Sequence, residues 1–447
     1  MTQPGPPQTA PNKAPQAEGE RKLPRTVGFW GAALFPINGM IGSGIFAVPA
    51  ILAAAVGAFA PWMMLVGAFL MLPLVLVFAL HATRFDSHGG PVLYASEAFG
   101  RFFGFQAGWT RYASGVVAVA ANTQVAVAYL AVLFPVLDEP TLKASAVIAF
   151  LVFTTLVNLV GMRLSVGTLG VMTFVKIAPL VVLVLVGLAT RDPAIGFEWP
   201  EFSGFESVVL ITFYAYMSFE NATFAAGEMK DAKRNVPLAL ITTVIAVALF
   251  YMAVIWAYLA IAPEVTGDES AMAAAAGAVM GPAGTIILSL AAAFSIGANT
   301  LGGGIVTPRM TYAMAEQNTL PRFFMHVSPR FQTPDYSILF YGGSAILASL
   351  WGGFAVLAVA ATLSRLIMYL LTAMALPVLG RRERLRGGPN PPVWHSAVAV
   401  LAAASTLWVA GQASVEAYQM LGFILVGGTA LFFVASRRGP QASAQTA

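Results

Sequence analysis

The chain has 447 residues, of which 58 % are hydrophobic and only 10 % charged, with a mean hydropathy of +0.77. A soluble domain cannot hide that much apolar surface, so the composition excludes one and points to a polytopic membrane protein. The net charge of +4 lies in loops beside apolar runs and is no nucleic-acid signal, and the absence of cysteine excludes disulfides, thiolate chemistry and cysteine-based metal or iron–sulfur sites.

Residues 1–26 are rich in Pro, Gln and Ala and read as a disordered tail. They lack the apolar core and cleavage site of a signal peptide, so the first helix is expected to insert uncleaved. About twelve spans follow, each of about 17–25 residues or longer where tilted. They are expected near 30–56, 60–84, 102–134, 144–162, 166–189, 205–228, 236–262, 282–315, 336–352, 354–379, 394–411 and 415–436. A polar tail, 438–447, ends the chain.

Lys and Arg set the orientation. One set of loops holds Arg21, Lys22, Arg25, Arg84, Arg101, Arg163, Lys230, Lys233, Arg234, Arg322, Arg330, Arg381, Arg382, Arg384, Arg386, Arg437 and Arg438. The opposite set holds only Lys143 and Arg191 among many acidic residues. The basic side is expected to be cytoplasmic, which puts both termini inside.

The first span contains NGMIGSGIF, residues 38–46, with Pro36 before it and Pro49 after. Gly39, Gly42, Ser43 and Gly44 weaken a helix near the bilayer centre, where unpaired backbone groups cost several kcal/mol each. Close packing through small residues is one reading. A deliberate break is the other, and the Gly-Ser-Gly run is denser than packing needs. The sixth span repeats the pattern in FYAYMSFENATFAAGE, residues 213–228, where a Glu, an Asn and small residues interrupt an apolar run. The first and sixth spans hold matching positions in two five-span halves, and paired interruptions point to a binding site.

A broken helix exposes free N–H groups on one half and free C=O groups on the other. The first can bind a carboxylate and the second an ammonium, and an α-amino acid carries both on one carbon. Ionisable groups at membrane depth usually face a cavity or a partner. Lys176, Glu220 and Arg365 are such groups; each reads either as a proton or coupling site or as a structural ion pair. Arg111 and Arg309 lie nearer the ends of their spans and read as snorkelling to the interface.

His81, His88, His326 and His395 are scattered without ligand spacing, so no metal or other cofactor is expected. No HExxH, GxSxG or P-loop occurs, which argues against a hydrolase, an ATP-driven pump and any enzyme.

Three further stretches complete a resemblance. GMIGSGIFAVPA (39–50), SFENATFAAGEMKDAKRNVPLAL (218–240) and PRMTYAMAEQNTLPRFFMHVSPRFQTPDYSI (308–338), with GGPVLYASEAFGRFFGFQAGW (89–109), resemble motifs of the amino acid–polyamine–organocation (APC) superfamily of permeases. The resemblance covers about residues 24–438. It implies an all-α fold of leucine-transporter type: two inverted five-helix repeats, 27–190 and 204–380, plus two extra helices, 393–437, with helices 1 and 6 unwound mid-membrane. It implies a substrate carboxylate at Ser43 and Gly44, within the stretch Met40, Ile41, Gly42, Ser43, Gly44. It implies an amine held by carbonyls of Met40, Tyr214 and Met217, and an aromatic lid, Tyr214, with Phe213 and Tyr216 as rivals. Ser218 stands where the family often has Gly, and Glu316-Gln317-Asn318 departs from its Arg-Asp-Gly stretch.

By the same resemblance Lys176 replaces the bound sodium of coupled relatives, which favours proton coupling or exchange, and Glu220 belongs to that machinery or to a structural bond. If Arg365 lines the cavity, it is a cavity charge that disfavours cationic substrates and favours an acidic or larger polar group. The expected function is a secondary transporter of an amino acid or related amine, by alternating access, in the cytoplasmic (inner) membrane of a bacterium. Polyamine uptake and a non-transporting sensor are the alternatives. The expected partners are the small-molecule substrate, protons and the lipid bilayer, with no nucleic acid, in a monomer or homodimer.

Overall fold

A computed structural model describes residues 27–85, 90–161, 166–190, 199–224, 226 and 229–437. The two expected tails lie outside the described residues, as do His88, Arg163, Arg191 and the Gly227-Glu228 end of the second motif. In hydrocarbon each backbone group needs a partner within its own segment, so the apolar runs fold as helices.

In chain order these are α1 (Phe29–Met40), α2 (Gly44–Val56), α3 (Ala60–Arg84), α4 (Gly90–Phe99) and α5 (Arg101–Leu133). Next come α6 (Pro140–Val160), α7 (Val166–Thr190), α8 (Phe202–Tyr216), α9 (Asn221–Phe224) and α10 (Ala232–Ile261). The last are α11 (Ala271–Glu316), α12 (Asp335–Ser349), α13 (Phe354–Leu385), α14 (Val393–Gly411) and α15 (Val415–Arg437). Local chemistry sets several ends. The Glu139 carboxylate caps α6 by accepting the Leu142 amide at 2.8 Å, with Pro140 in the first turn. In α11, Gly281 adopts φ 65 and ψ −164 just before Pro282 and kinks the helix. The expected span 282–315 is therefore the second limb, and a first limb from Ala271 precedes it, outside every expected span.

Among the described residues, ten helical stretches are long and apolar enough to cross a membrane. The expectation was about twelve. The stretch Gly44–Arg84 runs through two expected spans, and α12, with 15 residues, reaches only about 22 Å. The membrane-crossing, all-helical class stands, while the count of twelve is not fixed by length and composition.

The centre of the bundle is α5 against α13, with α11 and α4 beside α5. Of the most apolar windows of α5 and α13 72 % is buried, against 22 % for α6, α14 and α15, which lie at the periphery. α10 lies on α3, α1 lies between α7 and α10, and α2 lies on α8. The amide of Lys230 donates to the Val27 carbonyl at 2.8 Å and ties the start of α1 to the segment after α9.

Candidate functional site

Both suspected interruptions are breaks. α1 stops at Met40, Ile41 turns out of the helix with φ −86 and ψ 80, and α2 starts at Gly44. α8 stops at Tyr216, Met217 is extended with ψ 150, Ser218 is left-handed with φ 78, and α9 starts at Asn221. The breaks touch. A Cβ added to Gly39 would lie 2.7 Å from both the Ser218 Cβ and the Asn221 Nδ2, so only glycine lets them meet.

Between them lies a small cavity of about 50 Å³, room for a few waters. It is lined by Met40, Gly42, Ser43 and Gly44 from the first break and by Tyr214, Met217 and Ser218 from the second. Asn122, Asn299 and Arg365 complete the polar lining. A wider hollow of about 430 Å³ between Ala55–Ala58 and Trp199–Gly204 lies away from the breaks and their buried charges.

Three expected residues do not line the cavity. Ile41 faces Lys176 through its carbonyl. Tyr216 donates its hydroxyl to the Met64 carbonyl at 2.5 Å, against α3. Phe213 is fully buried elsewhere in the core, so of the three aromatic candidates only Tyr214 reaches the cavity. One-residue steps on a helix turn about 100°, which is why Phe213, Tyr214 and Tyr216 face three ways. The Met40 carbonyl, expected to hold an amine, already accepts from the Gly42 amide at 3.1 Å and the Tyr251 hydroxyl at 3.3 Å.

Lys176 is fully buried. Its ammonium donates to the Asn38 carbonyl at 3.3 Å, the Asn38 Oδ1 at 2.9 Å and the Ile41 carbonyl at 3.2 Å. Three donors meet three oxygens, all from the end of α1, where the break leaves carbonyls without helical partners.

Glu220 is not beside Lys176. It is fully buried between two guanidiniums, Arg365 Nη1 at 3.0 Å and Arg111 Nε at 3.2 Å from Oε1, while the Tyr369 hydroxyl donates to Oε2 at 2.9 Å. Arg365 also donates from Nε to Ser114 Oγ at 2.9 Å and from Nη1 to Ser218 Oγ at 3.1 Å. The interfacial reading of Arg111 is wrong: it is 7 % exposed, with Nη2 donating to Asn221 Oδ1 at 3.2 Å. Ten residues into α5 is about 15 Å from its end, further than snorkelling reaches when a buried carboxylate stands nearby. Arg309 is exposed.

The sequence reading missed a chain of asparagines. Ser43 and Tyr214 both donate their hydroxyls to Asn122 Oδ1, at 2.5 and 3.0 Å. Asn122 Nδ2 donates to Asn299 Oδ1 at 3.2 Å, and Asn299 Nδ2 to the Asn38 carbonyl at 3.0 Å. Three lone asparagines in mid-span, in AANTQ, GANTL and PINGM, were the available signal.

The sequence profile of the amino acid permease family matches residues 27–431. The serine/threonine exchanger SteT of Bacillus subtilis (strain 168) is 27 % identical over 419 residues, covering 91 % of this chain and 95 % of that protein. A cadaverine/lysine antiporter of Escherichia coli (strain K12) is 31 % identical over 225 residues, covering 48 % of this chain and 49 % of the antiporter.

Proposed function

Since the chain belongs to the amino acid permease family, whose relatives here are transporters rather than enzymes, we propose that it moves a zwitterionic amino acid by alternating access across the cytoplasmic (inner) membrane, with both termini inside. The observation that carries this reading is the contact of two broken helices around one cavity. The substrate carboxylate lies against the first amides of α2, at Ser43 and Gly44, which have no preceding turn to bond. The amine lies against the free carbonyls at the end of α8, beside Met217, and Tyr214 covers it.

The transport is sodium-independent. Lys176 supplies the cation at the end of α1, and its three short contacts leave no oxygen cage for a metal ion there. The work is then done by exchange or by proton coupling through Lys176, and the exchanger and antiporter names of the two relatives support exchange. The charges argue against uptake of polyamines. Arg365 lines the cavity, and Arg111, Arg365 and Glu220 together leave one positive charge in excess. A cation brought beside it in low dielectric is repelled. A neutral side chain, small enough for the narrow cavity, fits best.

Proteoliposomes test this directly. The expected result is saturable uptake of a small neutral amino acid, accelerated by internal counter-substrate or an inward proton gradient and unchanged when choline replaces sodium. No uptake of any amino acid or amine under any gradient by folded protein would overturn the reading.

A further inference from the structure

Lys176 and the cavity hydroxyls sit on opposite sides of the first break, yet a single run of hydrogen bonds joins them. The Asn38 carbonyl is shared between the Lys176 ammonium at 3.3 Å and Asn299 Nδ2 at 3.0 Å. Asn299 Oδ1 holds Asn122 Nδ2, and Asn122 Oδ1 holds both Ser43 and Tyr214. The run crosses α7, α1, α11 and α5 and ends on both broken helices. All of its amides point the same way, each donating toward Lys176 and accepting from the cavity side.

We propose that Asn122 and Asn299 are positioning residues of a relay through which the charge on Lys176 sets the availability of the Ser43 and Tyr214 hydroxyls to substrate. The proposal rests on the transport reading and adds to it a path and two residues. Its physics is competition for one oxygen. A charged donor makes a hydrogen bond roughly twice as strong as a neutral one. When Lys176 gives up its proton, its hold on the Asn38 carbonyl weakens and Asn299 takes a larger share. Asn122 follows Asn299, because its amide cannot turn without losing that bond. Its Oδ1 carries both hydroxyls with it. A substrate carboxylate needs those hydroxyls as donors, and each is spent on Asn122 Oδ1 while the relay is drawn in.

The groups around Lys176 leave the relay as the coupling path. α1 carries no charged residue. α10 carries exposed Lys233 and Arg234 in its first turn, and further on Tyr251, bonded to Met40, and Tyr258. α11 carries exposed Arg309 and Glu316 and half-buried Tyr312 in its last turns. Among the described residues no carboxylate forms an ion pair with Lys176, and Glu220 is held by Arg111 and Arg365.

The test is the pH dependence of KM for the transported amino acid in proteoliposomes, for the wild type, Lys176→Met, Asn299→Leu, Asn122→Leu and the Lys176→Met/Asn299→Leu pair. In the wild type KM moves by at least about fivefold between acidic and alkaline buffer, the lower end of a typical coupling. In each single variant and in the pair it moves less than about twofold, and adding Asn299→Leu to Lys176→Met changes the profile no further. Asn122→Leu is the second probe should Asn299→Leu not fold. A purely electrostatic action of Lys176 across the cavity leaves the wild-type profile in Asn299→Leu, and that result overturns the relay. A wild-type KM that ignores pH overturns it as well while leaving transport intact. Folded Asn299→Leu protein with no uptake at any pH also overturns it, because the asparagine is then a binding group. Absence of wild-type uptake refutes the transport reading instead.

Discussion

Glu220→Gln is the most demanding substitution of the buried charges. The carboxylate is fully buried and neutralises part of two guanidiniums, Arg365 at 2 % exposure and Arg111 at 7 %. Glutamine keeps the shape and can still accept from an arginine through its one oxygen, while its amide nitrogen donates to the Tyr369 hydroxyl. It cannot supply charge, so two cations remain in low dielectric with no counter-ion. Removing one partner of a buried pair costs about 3–5 kcal/mol. That is on the order of a hundred- to several-thousand-fold in the ratio of folded to unfolded protein. The cost falls on the segment that joins the second break to α5 and α13, so the cavity is lost before the periphery. Thermal unfolding of purified protein in detergent, followed by intrinsic fluorescence, reads it as a large drop in melting temperature. Glu220→Gln combined with Arg365→Leu, which removes one of the stranded cations, recovers part of the loss. A single variant as stable as the wild type would refute the assignment of Glu220 to an ion cluster.

Other substitutions probe the breaks themselves. Gly39→Ala puts a Cβ 2.7 Å from Ser218 and Asn221, so the breaks must part by about 1 Å to restore ordinary contact; amino acid binding is lost while the protein still elutes as a single folded species. Ser218→Gly and Ser218→Ala lose the same hydroxyl bond to Arg365, but only glycine relieves the left-handed φ of 78. The glycine variant is expected to be the more stable by about 1–2 kcal/mol in the same thermal assay. Lys176→Met strands the Ile41 carbonyl, while Asn299 still holds that of Asn38, and lowers stability by about 1–3 kcal/mol, and sodium in the buffer does not restore the melting temperature.

How far the sequence could be read depended on the kind of signal. Helix existence came from apolar runs, which the bilayer makes nearly sufficient. Both breaks were legible because Gly39, Gly42, Ser43 and Gly44, and the Glu220-Asn221 pair, are so poorly suited to the middle of a spanning helix. The first limb of α11 was missed because AMAAAAGAVM, residues 271–280, is mildly apolar and short, and the turn at Gly281 looks like its end. Side-chain direction was not legible. Tyr214 and Tyr216 differ by two positions, and only packing decides that one meets Asn122 and the other the Met64 carbonyl. Nor was the partner of Glu220, because Arg111 and Arg365 are 109 or more positions away in the chain and depth along a span says nothing of neighbours.

The most direct measurement concerns both ionic ends of the substrate at once. Binding of a transported amino acid, its methyl ester and its N-acetyl derivative is compared on the purified protein by calorimetry. If one break grips the carboxylate and the other the ammonium, the parent binds and each blocked form is weaker by about a hundredfold or more, the loss of a desolvated charged contact. A blocked form that binds within a few fold of the parent would contradict the account, because one of the two breaks would then have no part in holding the substrate.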